Sequence, residues 1–130
     1  MSIKEAKIEI ETTFQDGWTS TPIHYSGMEF DSTGRDRWIN LIYQPISVSN
    51  RTLTAGRQAQ NAVIYVLCWA NNELNAYDLA DNVADFVLGD PFANYAANRY
   101  VVEDQGYSQD GRSFVILSFD VKQKSCNTTN

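Results

Sequence analysis

The run Ala62-Val63-Ile64-Tyr65-Val66-Leu67-Cys68-Trp69-Ala70 constrains this chain more than any other feature, because nine consecutive residues are apolar. Nine is too short for a membrane span, which takes about 18 or more. β-Branched and aromatic side chains dominate, so the run reads as a strand. Val63, Tyr65, Leu67 and Trp69 point one way, and Ala62, Ile64, Val66 and Cys68 the other. A strand that is apolar on both faces belongs at the centre of a sheet. A helix follows at once. Asn72 or Asn71 caps it, and Leu79, Val83 and Phe86 line a stripe with Ala76, Ala80 and Val87 beside it. Gly89 stands at the C′ position, where glycine commonly ends a helix. Asp78, Asp81 and Asp85 face away from the stripe, which reads as a solvated helix face rather than a metal site.

The other elements follow from the same periodicities. Ser2 and Glu5 have capping-box spacing, and Ile3, Ala6, Ile10, Thr13 and Phe14 share one helical face. This predicts an amphipathic helix from about Ile3 to Phe14, ending near Gly17, although Ile8 departs from the pattern and Ala6–Glu11 also alternates like a strand. Pro22 can open an edge strand that carries Ile23 and Tyr25, and Gly27 marks a bend before Met28 and Phe30. Asp31–Asp36 reads as a turn. In the next strand Trp38, Asn40, Ile42 and Gln44 alternate with Ile39, Leu41 and Tyr43. Pro45 cannot donate to a ladder, so the second half of that strand is expected to lie at an edge or leave the sheet. Asp110-Gly111 joins two final strands as a hairpin, and Val115, Leu117, Phe119 and Val121 are the better core face of the last. The tail 124–130 is polar and reads as loosely ordered. The order is helix, three strands, helix, two strands. That is an α+β fold: a mostly antiparallel sheet of about five strands with two helices packed on one face, in a single domain over residues 1–130.

Composition narrows the function. The 130 residues carry ten bases against sixteen acids, a net charge of −6. A chain that grips duplex DNA needs a basic patch, whereas an acidic wall lets DNA pass without sticking. The N-terminal segment has no long apolar core, so a secretory signal is not expected and synthesis in the cytoplasm is. Cys68 in the apolar run and Cys126 in the tail fit a reducing compartment. His24 is the lone histidine, and without a second or a close cysteine pair nothing suggests a structural zinc site. No phosphate-binding glycine loop and no nucleophile elbow occurs. No catalytic, cofactor or metal residue is assigned, and the chain reads as a structural protein rather than an enzyme. The basic residues cluster oddly. Arg51 and Arg57 flank a polar loop around Leu53, and Arg35 and Arg37 belong to the mixed-charge Asp31–Asp36 turn or its border.

The sequence of features resembles the tail terminator and tail-completion proteins of long-tailed bacteriophages, of the lambda type. The residues that carry the resemblance are the N-terminal helix, "STPIHYSGMEFD", the strand and "LTAGR" loop from Leu53 to Arg57, the aliphatic strand Val63–Trp69, and the helix Ala76–Phe86 with its "LADNVADF". The likeness runs from about Ile3 to Gln123. It implies a virion protein that forms a hexameric ring on the head-proximal end of the tail tube. Such a ring ends polymerisation of the tube protein and provides the surface that docks the head–tail connector, or neck, protein. It takes no cofactor, passes phage DNA without specific binding and touches no membrane. On that reading Arg35, Arg37, Arg51, Leu53 and Arg57 are interface candidates. Arg51 and Arg57 flank a loop that could reach an acidic neighbour, such as the Asp78, Asp81 and Asp85 face of the next subunit, and these three aspartates are interface candidates too. Two other readings stand beside it. One is a head–tail connector of the same virion. The other is a small α+β ligand-binding or enzyme domain with a pocket, for which His24, Tyr43 and Asp120 are the polar candidates.

Overall fold

The computed structural model describes residues 3–31, 36–46, 61–108 and 111–123. Ser2, the centre of the Asp31–Asp36 turn, Asp110, Cys126 and the 124–130 tail lie outside the described residues. So do Arg35, Arg51, Leu53 and Arg57.

The chain runs α1 (Ile3–Gly17), β1 (Ile23–Tyr25), β2 (Arg37–Ile46), β3 (Asn61–Ala70), α2 (Glu73–Leu88), β4 (Tyr95–Tyr107) and β5 (Ser113–Gln123). The strand order is β1-β2-β3-β5-β4, so the apolar run at residues 62–70 is the middle strand. The class is α+β with a mixed sheet. β1 pairs parallel to β2, with Ile23 opposite Ile39, while the remaining pairs are antiparallel. The mostly antiparallel reading therefore needs this correction at the β1 edge. β1 covers β2 only at Ile39–Leu41. Beyond Leu41 the second half of β2, with Pro45, is an edge, as the missing donor of proline requires.

Both helices lie on one face. From β3, Ala62, Ile64, Val66 and Cys68 are at most 1% exposed and join Ile39 and Leu41 of β2 and Val115, Leu117, Phe119 and Val121 of β5. Onto this surface α2 lays Ala76, Leu79, Ala80, Val83, Ala84 and Val87, and α1 lays Ala6, Ile10 and Phe14. The 3.6-residue period of each helix meets the two-residue period of the strands on one shared apolar surface. Burying one such side chain fully contributes about 1.5–3 kcal/mol. Phe86, expected in the central stripe of α2, sits at its margin. There it packs edge-on against Phe14 at 5.1 Å and Trp18 at 5.8 Å, tying the two helices together. Ile8, the residue that broke the α1 pattern, is 51% exposed.

The caps explain where α2 begins and ends. Asn72 is the N-cap, and its side chain accepts from the Asn75 backbone N–H. Gly89 closes the helix by donating its N–H to the Asp85 and Phe86 carbonyls, but at φ −79° it is not left-handed. The left-handed residue is the next one, Asp90, at φ 62°. An aspartate tolerates that region because its short side chain can bond locally.

Candidate functional site

The two sides of the sheet differ in kind. The helix side is closed. The other, more open side of β2, β3 and β5 is partly covered: Trp38 and Ser118 on it are 6% and 8% exposed. Register aligns their outward side chains in rows. Trp38, Trp69 and Phe114 form the first row, and Asn40, Leu67 and Ile116 the second. Ile42, Tyr65 and Ser118 form the third, and Gln44, Val63 and Asp120 the fourth. Val63, Tyr65, Leu67 and Trp69 are each partly exposed, whereas their in-strand neighbours are buried.

The first row continues into an aromatic chain along one end of the sheet. Trp38 stacks on Trp69 at 5.5 Å and 7°, and Trp69 meets Phe114 at 4.9 Å. On the other side Phe30 lies 5.9 Å from Trp38 and stacks on His24 at 5.1 Å. Arg112 places its guanidinium carbon 4.8 Å above the Trp38 ring. Such contacts add about 0.5–1.5 kcal/mol per aromatic pair beyond area burial. They hold this end of the face in one shape. The sequence marked Trp38 and Trp69 only as members of alternating sides of two strands. Strand register was needed to see that they form a row.

The helix layer is the electrical opposite. α1 holds Lys4 and Lys7 against Glu5, Glu9, Glu11 and Asp16, and α2 holds Glu73, Asp78, Asp81 and Asp85 with no base. These two helices account for the whole net charge of −6, so the rest of the chain is neutral in sum. Part of this charge is paired within the chain. Lys7 bonds Glu11 one turn on. Arg37 lies 3.4 Å from Asp78 with both side chains well exposed, a pair of small energetic value. Asp78 thus has a cation within its own chain, which weakens the expectation that it waits for a neighbour's arginine. Asp81 and Asp85 are exposed on the same helix. Glu9 is used internally: its two oxygens accept the Asn94 backbone N–H at 2.9 Å and the Asn94 side-chain amide at 2.8 Å, fixing α1 to the start of β4.

The residues of the pocket reading do not converge. Tyr43 points to the helix side, where it is 8% exposed, and its hydroxyl has no partner among the described residues. His24 is opposite Asn40 on the open side, with Nε2 2.8 Å from the Met28 carbonyl oxygen. Asp120 lies at the far end of that face, in the row of Gln44 and Val63. A shallow cleft of about 300 Å³ lies elsewhere, between Thr13, Asp16, Gly17, Phe86 and Pro91. Cys68 is fully buried, and desolvation pushes its thiol up to about 12, so it is an inert apolar group at neutral pH. Tyr95 is also pushed up to about 12, first by burial and then by the Tyr43 hydroxyl and the Glu9 and Glu5 carboxylates nearby. Among the described residues no group of three or more His, Cys, Asp or Glu side chains could hold a metal ion.

No protein-family model matches this chain, and no curated protein matches it.

Proposed function

We propose that the chain is a subunit of a phage tail terminator, a hexameric ring at the head-proximal end of the tail tube that ends tube growth and docks the head–tail connector. The observation that carries an assembly role is the pairing of a half-buried, largely apolar sheet face with a helix layer whose formal charge equals the net charge of the chain. Apolar faces of this kind mark contact surfaces on soluble proteins. An acidic layer suits a ring through which DNA slides. The choice of terminator over other assembly proteins rests on the sequence resemblance. The frame of the subunit is a five-stranded sheet, antiparallel except at β1, with α1 and α2 on one side. In the ring, Arg35, Arg37, Arg51, Leu53 and Arg57 serve heterologous contacts, in which one patch meets a different patch of the next copy.

The test is the mass of the purified protein, alone and mixed with its tube protein, together with electron microscopy of the tubes. A closed ring that caps tubes at one end is the expected result. A protein that ignores tubes at high concentration refutes the reading, and binding to the connector side alone reassigns it to the neck. Charge reversal at Arg51 and Arg57 should abolish capping if that loop makes the contact.

A further inference from the structure

The cleft between the C-terminal turns of the two helices is lined by groups that accept hydrogen bonds, and we infer that it receives a guanidinium, the head of an arginine side chain on a partner protein. This goes beyond the terminator reading and does not depend on it. Three observations carry it.

The first is the lining. The cleft, of about 300 Å³, is walled by Thr13, Asp16 and Gly17 of α1, Phe86 of α2, and Pro91. The Thr13 hydroxyl donates to the Glu9 carbonyl at 2.8 Å, so toward the cleft it can only accept. The backbone N–H groups of the four helical residues are taken by the ladder one turn back, and Pro91 has none. The indole N–H of neighbouring Trp18 is committed to Thr21 Oγ1 at 2.9 Å. Asp16 is exposed, and its carboxylate has no hydrogen-bond or ion-pair partner among the described residues.

The second is the field. The last turns of α1 and α2 carry no base, and each holds an aspartate, Asp16 and Asp85. A helix C-terminus is the negative end of its dipole. Acids there run against the stability of the helix, and a cation there is favoured. The Phe14 carbonyl accepts the Trp18 N–H, but the carbonyls of Asp16 and Gly17 have no backbone partner among the described residues.

The third is shape. The volume lies at the lower end for ligand sites, the scale of a side-chain head. Phe86 gives the cleft an aromatic wall, held edge-on by Phe14 and Trp18 at 5.1 and 5.8 Å. Gly17 lets that ring come close, since a Cβ there would lie 2.8 Å from Phe86 Cε1. A planar, weakly hydrated cation stacks on such a ring and forks onto a carboxylate, which a compact ammonium does less well. A metal ion would find one carboxylate here, too few oxygens to replace its water. The cleft is shallow and open, so it holds a free guanidinium only at about millimolar strength and acts as one contact within a larger interface.

The experiment is an NMR titration of the full chain with N-acetylarginine methylamide, beside its lysine and citrulline counterparts at equal ionic strength. The expected result is saturable shifts centred on Gly17 and Phe86, several-fold weaker binding of the lysine compound and none of the neutral citrulline one. Asp16→Asn should weaken arginine binding several-fold. Glu73→Gln removes the same formal charge at the far end of α2 and should leave it unchanged. Removing a negative charge from the negative end of α1 does not weaken the helix, so a loss in Asp16→Asn reads the contact itself. Equal losses in the two variants overturn the inference, because the attraction is then diffuse. So do shifts at the cleft with the citrulline compound, or no shifts with any. Equal binding of the lysine compound overturns the guanidinium assignment. Micromolar binding of the small arginine compound overturns the assignment to a partner's side chain in favour of a free ligand. None of these outcomes involves the tube protein, so they separate from success or failure of the terminator reading.

Discussion

Replacing Ile64 by alanine and, separately, Tyr65 by serine tests the two-sided reading of β3 at adjacent residues. Ile64 is 0% exposed and sits between Tyr43 of β2 and Phe119 of β5 on the helix side. Ile64→Ala removes three carbons. At about 0.8 kcal/mol per buried CH₂ the transfer loss is ~2.4 kcal/mol. A cavity that the fixed neighbours cannot close adds on the order of 1 kcal/mol, for a total of about 3.5 kcal/mol. With a urea slope of about 1.5 kcal/mol per molar, the unfolding midpoint falls by about 2 M. Tyr65 lies between Ile42 and Ser118 on the open side and is partly exposed. Its truncation forfeits cross-strand contacts and strand preference, about 1 kcal/mol, so the midpoint moves by less than about 1 M. Both measurements belong in dilute protein, where association adds nothing to stability. If Tyr65→Ser costs as much as Ile64→Ala, the open face is covered in the free chain and the contact surface argued from it does not exist.

Three further perturbations follow from single groups. Asn72→Ala removes the side chain that accepts the Asn75 N–H and should lower stability by about 1 kcal/mol, read from thermal or urea melts. Gly111→Ala forces a side chain onto a backbone at φ 87° in the β4–β5 turn and should cost about 1–2 kcal/mol, with Gly111→Asn recovering part of it. Alkali should unfold the protein. The Cys68 thiol is raised from 9.0 to about 12 and the Tyr95 phenol from 10.0 to about 12, so the folded state holds their protons more tightly than the unfolded state. Their contribution is complete below pH 9 and is lost as pH rises toward 12, at up to ~1.4 kcal/mol per pH unit per group. Urea midpoints should start to fall near pH 9, and Cys68→Ala should flatten the fall between pH 9 and 10, where Tyr95 is still protonated in both states.

The element order was legible because α1, α2, β2, β3 and β5 each carried its own period, and Asn72, Gly89 and Asp110-Gly111 punctuated the chain. What the pattern could not supply was pairing across distance. β1 has only three residues, too few to show an alternation, and whether it runs parallel or antiparallel to β2 depends on the path of the intervening chain. The same limit hid the open face. Trp38, Trp69 and Phe114 are 31 and 45 positions apart in sequence and become one row only when two antiparallel registers are fixed. Tyr43 and His24 shared a polarity argument, but parity sends one to the helix side and the other to the open side. The left-handed residue is Asp90 rather than Gly89, which a glycine-at-C′ rule does not anticipate.

By formal charge, α1 and α2 sum to −6 and the other residues to zero. Whatever approaches the helix layer therefore meets an acidic surface, and added salt shortens the range over which that surface attracts or repels.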